Sequence, residues 1–64
     1  MQKIKSVLED NEGYLWIAAY DQGVYCMKNN KVERHFDFKD ALGLLQDHES
    51  NIWVSTQSDG VYVI

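Results

Sequence analysis

Several residue types in this chain have side chains that could do chemistry, and their spacing decides which chemistry is open. Asp10 and Asp47 are acids next to turn residues, and Cys26 is the single thiol; His35 and His48 are the two imidazoles. A zinc site needs cysteines and histidines at short, matched spacings. Cys26, His35 and His48 have none. The stretch Asp10-Asn11-Glu12-Gly13 begins like a calcium loop, yet it lacks the alternating oxygen ligands and the closing glutamate twelve positions on. No metal or cofactor is therefore expected. Cys26 has no base at a repeat-equivalent position and reads as a small buried apolar group. His35 and His48 read as solvent-facing and, by strand alternation, as sharing one rim.

The two acids are better understood together. Shifting the chain by 37 positions lays Val7-Leu8-Glu9-Asp10-Asn11-Glu12-Gly13-Tyr14-Leu15-Trp16-Ile17 over Leu44-Leu45-Gln46-Asp47-His48-Glu49-Ser50-Asn51-Ile52-Trp53-Val54. In the same register, Gly23-Val24-Tyr25-Cys26-Met27 falls over Gly60-Val61-Tyr62-Val63-Ile64. Seven of the 21 aligned positions are identical, too many for an accident of composition. Asp10 and Asp47 thus belong to two copies of one unit and read as turn caps, not as a catalytic pair. Trp16 and Trp53, Gly23 and Gly60, and Tyr25 and Tyr62 are the other recurring positions. The tryptophans read as core, and the tyrosines as packed rings whose hydroxyls reach a polar partner.

Each copy is punctuated in the same way. An apolar run ends in an Asp-rich turn, then Leu15–Tyr20 forms a run that is apolar on both faces and too short for a helix. Asp21-Gln22-Gly23 turns the chain, Val24–Met27 makes a third strand, Asn29-Asn30 a hairpin turn, and Lys31–Phe36 a fourth strand with one wet face. Four short strands at a period of 37 describe the blades of a β-propeller. The expected architecture is all-β, antiparallel four-stranded meander blades, about one and three-quarters of them present. Residues 1–36 form a first blade and residues 37–64 a second with three strands. Phe38, Ala41, Leu42 and Leu45 also fall at helical spacing, but Gly43 and the β-like Ile4–Val7 at the aligned place favour a strand.

Length and charge bound the partners. The chain has 64 residues, no proline and a net charge of −4. Residues 1–36 are neutral, so residues 37–64 carry the deficit: Asp37, Asp40, Asp47, Glu49 and Asp59 face only Lys39. Nucleic-acid binding requires a basic stripe, and none is present. No apolar run is long enough to span a membrane, and the basic start Met1–Ser6 lacks the apolar stretch of a secretory signal. A lone core this small, without a staple, is short of stability, so further blades in cis or other copies are the expected partners.

Residues Val7–Ala19 with Gly23-Val24-Tyr25 resemble the two-component regulator propeller repeat, and Leu45–Thr56 with Asp59-Gly60-Val61-Tyr62 is similar to the same repeat. Ala18-Ala19 and Ser55-Thr56 replace the family's usual Gly-Thr, and Ser50 replaces the turn glycine. The resemblance implies a piece of the periplasmic sensor of a membrane-bound hybrid histidine kinase, a class that many gut bacteria use to detect glycan fragments. It implies no catalysis in these residues.

In an up-and-down meander, the turns between strands two and three and the links between blades share one rim. Tyr20, Asp21 and Gln22, Asp37, Lys39 and Asp40, and Gln57, Ser58 and Asp59 are therefore the candidate ligand contacts, with side chains suited to sugar hydroxyls. A structural, self-assembling blade module and a propeller hydrolase or lyase are the alternative readings.

Overall fold

A computed structural model describes residues 3–64; Met1 and Gln2, the head of the basic start, lie outside the described residues. Seven strands follow one another: β1 Ile4–Glu9, β2 Leu15–Ala19, β3 Gly23–Lys28, β4 Lys31–Phe36, β5 Ala41–Gln46, β6 Ile52–Thr56 and β7 Val61–Val63. The first four form one antiparallel sheet in the order β1-β2-β3-β4, and the last three form a second in the order β5-β6-β7. The architecture is all-β, with the two sheets built as propeller blades.

The segment with helical spacing is strand β5. Pairing with β6 puts Leu45 opposite Trp53 and Gln46 opposite Ile52, so tertiary pairing overrides a local pattern that Gly43 already weakens.

The repeat is visible in the backbone. Register breaks fall between Ile4 and Ser6 in β1 and between Ala41 and Gly43 in β5, at equivalent places. Lys3 (φ 56) matches Asp40 (φ 57), Gly13 (φ 87) matches Ser50 (φ 67), and Gly23 (φ 99) matches Gly60 (φ 82). At the hairpin between β3 and β4, Asn29 and Asn30 both have positive φ, 55 and 65. That pair of left-handed residues gives the turn a twist that suits the flanking strands, and asparagine tolerates it better than most residues.

The two blades meet face to face. Trp16, Ala18, Val24 and Cys26 of the first pack against Ala41, Ile52 and Val54 of the second, with Leu8, Tyr14, Phe36, Phe38, Leu44 and Ile64 around them. Strand β5 lies against β1 and β2, which sets the first strands of the two blades together. Every backbone group of β2 can pair on both sides, so the two-faced apolar run Leu15–Ala19 occupies an interior place in its sheet.

Candidate functional site

Both aspartates are acceptors that tie a turn to a tryptophan. Asp10 Oδ1 accepts the backbone N–H groups of Glu12 and Tyr14, each at 2.9 Å, and Oδ2 accepts the Trp16 indole N–H at 2.9 Å. Asp47 repeats the arrangement. Its Oδ1 accepts the N–H groups of Glu49 and Asn51 at 2.9 Å; its Oδ2 accepts the Trp53 indole at 2.8 Å and the Asn51 amide at 3.2 Å. The ring follows the acid by six positions because a four-residue turn followed by a short extended step returns the indole over the carboxylate.

The electrostatics follow from those bonds. The hydrogen bond from Trp53, then that from the Asn51 backbone, lower the Asp47 carboxyl to about 2. At Asp10, desolvation pulls upward, but the bonds from Trp16, Tyr14 and Glu12 and the charge of Lys28 outweigh it, and its carboxyl also lies below the ordinary value. Such carboxylates hold no proton to donate near neutral pH. Each also sits in its own blade, so the geometry provides turn clasps and no acid–base pair.

The opposite rim gathers side chains from both blades. The Tyr20 hydroxyl donates to Gln57 Oε1, Ser58 Oγ donates to Asp40 Oδ2 at 3.0 Å, and the backbone links Asp40 N to Tyr20 O at 3.1 Å and Gln57 N to Asp40 O at 3.0 Å. Desolvation, then the neighbouring Asp40 carboxylate, push the Tyr20 phenol above its usual value, so it stays a donor at neutral pH. Lys5 stands over the Tyr20 ring, 5.7 Å from its centroid. Of the nine candidate contacts, Tyr20, Asp40, Gln57 and Ser58 form this cluster. Asp21, Gln22, Asp37, Lys39 and Asp59 are exposed in the adjoining loops. Gln22 closes its turn by N–H donation to Ala19 O at 3.0 Å, and the Asp59 N–H is held by Thr56 Oγ1 at 3.0 Å.

A cleft that the sequence did not point to lies at the aspartate rim, between the blades. It encloses about 380 Å³ and is lined by Asn11, Tyr14, Arg34, Gln46 and Ser50 above Trp16 and Ile52. Asn11 crosses from one blade to the other: its backbone N–H donates to Gln46 Oε1 at 3.1 Å, and its side-chain amide donates to Ser50 Oγ at 3.2 Å. Gln46 Nε2 returns a bond to Asn11 Oδ1 at 3.3 Å. These positions align with nothing identical in the other copy, since Asn11 falls over His48 and Gln46 over Glu9. Repeat identity could not mark them.

The segment from β1 through the Asp10 clasp to the end of β2 also matches a family model, described as Two component regulator propeller, over residues 2–21. Residues 2–21 are thus similar to a two-component regulator propeller repeat. No curated protein and no solved structure matches the chain. Just beyond the matched residues of this propeller repeat, Gly23 is required by close approach. A Cβ there would lie 2.1 Å from the Phe36 carbonyl oxygen, so only glycine lets β4 close over the turn.

Three expectations for the propeller repeats need correction. His35 and His48 do not share a rim: His35 donates from Nε2 to Gln22 O at 2.6 Å, beside the β2–β3 turn, whereas His48 lies in the β5–β6 turn at the other end of the strands. The tyrosine hydroxyls at 25 and 62 find no hydrogen-bond partner among the described residues. Their rings pack instead, Tyr25 on His35 with centroids 4.4 Å apart and Tyr62 on Phe38 at 4.9 Å. Trp16 is buried at 5% exposure, but Trp53 is 38% exposed because no strand among the described residues covers its face of the second blade. Cys26, by contrast, is buried as expected, although Val63 at the aligned place is exposed. Desolvation, followed by the Asp10 charge, pushes its thiol up, away from the thiolate a nucleophile requires.

Proposed function

We propose that this stretch of two-component regulator propeller repeats works as part of a non-catalytic, ligand-recognising sensor, facing the periplasm, with an oligosaccharide as its ligand. The observation that carries the reading is the cluster of half-buried Tyr20 and Asp40 with exposed Gln57 and Ser58, which brings a phenol, a carboxylate, a carboxamide and a hydroxyl from two blades to one rim. Sugars are recognised by such mixed donors and acceptors on a rigid scaffold. The local charge supports a neutral, hydroxyl-rich ligand over an anionic one, because Asp37, Asp40 and Asp59 stand around the cluster with only Lys39 to balance them. Absence of catalysis is supported by the chemistry of the remaining groups. Both clasp carboxylates are ionised acceptors, and the thiol is buried.

Isothermal titration of the propeller domain that carries this chain, against a panel of neutral xylo-, cello-, malto- and arabino-oligosaccharides, tests the reading. Binding by at least one member is expected, weakened about tenfold or more by Asp40→Ala or Tyr20→Phe, in line with the loss of one to two hydrogen bonds to a ligand. No heat from any member, or binding unaffected by both substitutions, would overturn it.

A further inference from the structure

The two outer faces of this chain are unlike each other and are related by the repeat that joins its two blades. Inside the molecule, the face of the first blade bearing Leu8, Trp16, Ala18, Val24 and Cys26 covers the face of the second bearing Ala41, Leu44, Ile52 and Val54. The 37-residue shift carries the covering face onto Leu45, Trp53, Ser55, Val61 and Val63, and it carries the covered face back onto Ile4, Val7, Leu15 and Ile17. Those are the outer faces, though Ile17 itself is buried. Leu45 pairs with Trp53, and Trp53 with Val63, so the three stand together on the outer side of the second blade. Leu45 and Trp53 line a shallow groove of about 300 Å³ with Gly43 and Val61. On the first blade Val7 pairs with Ile17, and Ile17 with Tyr25, on the side turned away from Trp16.

Exposed apolar side chains concentrate on these two faces. Leu45 (63%), Val61, Val63 and Trp53 are exposed on one, and Val7 (57%), Ile4 and Leu15 on the other. Apolar patches of this kind mark association surfaces. Because each face has the form of one half of the existing blade junction, what fits both is a further blade of the same repeat, and for the 64-residue chain by itself that blade is supplied by a second copy.

We infer that the 64-residue chain by itself associates head to tail with further copies, the Trp53 face of one copy taking the place of the neighbouring blade over the Ile17 face of the next. Polar groups at both rims agree with that register. At the internal junction Asn11 meets Gln46; at the junction between copies the same places are held by His48 and by Glu9 of the next copy, an imidazole and a carboxylate. At the other rim Tyr20 donates to Gln57, and between copies Gln57 would meet Tyr20 of the next copy, the same pair with its order reversed. The contact is heterologous, so repetition closes a ring if the rotation per copy permits it. Propellers of about four to eight blades correspond to about two to four copies. The inference rests on the blade junction and not on ligand recognition, so either can fail without the other.

Sedimentation of the 64-residue chain between about 1 and 500 μM, with Leu45→Lys and Val7→Lys variants, tests it; both positions are solvent-exposed and outside the internal core. The wild type is expected to shift from its 7.5 kDa monomer to larger species as concentration rises. Each variant alone is expected to stay monomeric. An equimolar mixture of the two is expected to form a one-to-one complex, because each retains the face that the other needs. Circular dichroism confirms that both variants keep the β-sheet spectrum; should either lose it, Val61→Lys and Leu15→Lys replace the pair on the same two faces. A wild type that is monomeric throughout would overturn the inference. So would variants that still self-associate, which would point to edge pairing along β7, or a mixture that stays monomeric.

Discussion

At the scale of single residues, the carboxylate of Asp47 and the backbone of Gly23 have the most specific roles. Asp47 ionises at about 2 in the folded chain, against about 3.9 in an unfolded one. A carboxyl depressed by folding stabilises the native state above the unfolded value and loses that contribution as pH falls toward the folded one. The second-blade turn is therefore expected to weaken between about pH 4 and pH 2. Tryptophan emission followed from about pH 6 to pH 1.5 should report the change, and Asp47→Asn should flatten it within that window. A wild-type profile identical to that of the variant would show that the clasp does not hold Trp53. The glycines offer a sharper contrast. Gly23→Ala combines a left-handed φ with a collision against the Phe36 carbonyl, whereas Gly60→Ala, at the same place in the repeat, meets nothing within 4 Å. Urea unfolding should give a loss of about 3 kcal/mol or more for Gly23→Ala and about 1–2 kcal/mol for Gly60→Ala. The difference arises because a fourth strand lies over the first turn and, among the described residues, none lies over the second. Equal losses would mean that β4 does not close on Gly23.

At the scale of strands and blades, Trp16 and Trp53 occupy the same place in the repeat and differ in what covers them. Trp16→Ala empties the blade junction and is expected to remove about 3–5 kcal/mol. Trp53→Ala acts on a ring already 38% exposed, and a loss of about 1–2 kcal/mol is expected in dilute, monomeric chain. Equal losses in that state would place another sheet over Trp53. These residues also show what a sequence can and cannot convey. The strands were legible because each carries a two- or three-residue apolar signature between turn residues, and the Asp-Trp spacing was legible because it recurs. Burial of the second tryptophan was not, since it depends on a neighbour outside the repeat that contains it. The Asn11–Gln46 crossing was hidden for the same reason: contacts between blades join positions that the repeat does not align. The histidines were set at one rim by alternation along a strand, but His48 lies in a turn, where alternation has no meaning. At the β2–β3 rim, topology grouped the loops on one side, while the clustering of Tyr20, Asp40, Gln57 and Ser58 apart from their neighbours was visible only in the hydrogen bonds themselves.

At the scale of the whole molecule, the interior is too small to make the chain robust alone. Among the described residues nine hydrophobic ones are buried, and three of them are alanines. A chain of this length buries only about 60% of its unfolded surface, and a single core of this size rarely supplies more than ~3–5 kcal/mol. Covering the Leu45–Trp53–Val61 face and the Val7–Ile17 face would add burial that the monomer lacks, and mass action then links stability to concentration. Melting temperature is expected to rise by about 5 °C or more for each tenfold increase in chain concentration, because one junction per copy shifts folding by up to ~1.4 kcal/mol per decade and small domains respond steeply. The Leu45→Lys variant should melt at one temperature throughout. Salt separates the forces involved. Each copy carries −4, so like charge opposes assembly while apolar burial drives it; the single His48–Glu9 pair, exposed at a rim, counts for little. Raising ionic strength from about 0.02 to 0.5 M screens the repulsion and leaves the apolar term, so association should strengthen. Weakening over that range would mean that ion pairs, and not the two sheet faces, hold the copies together.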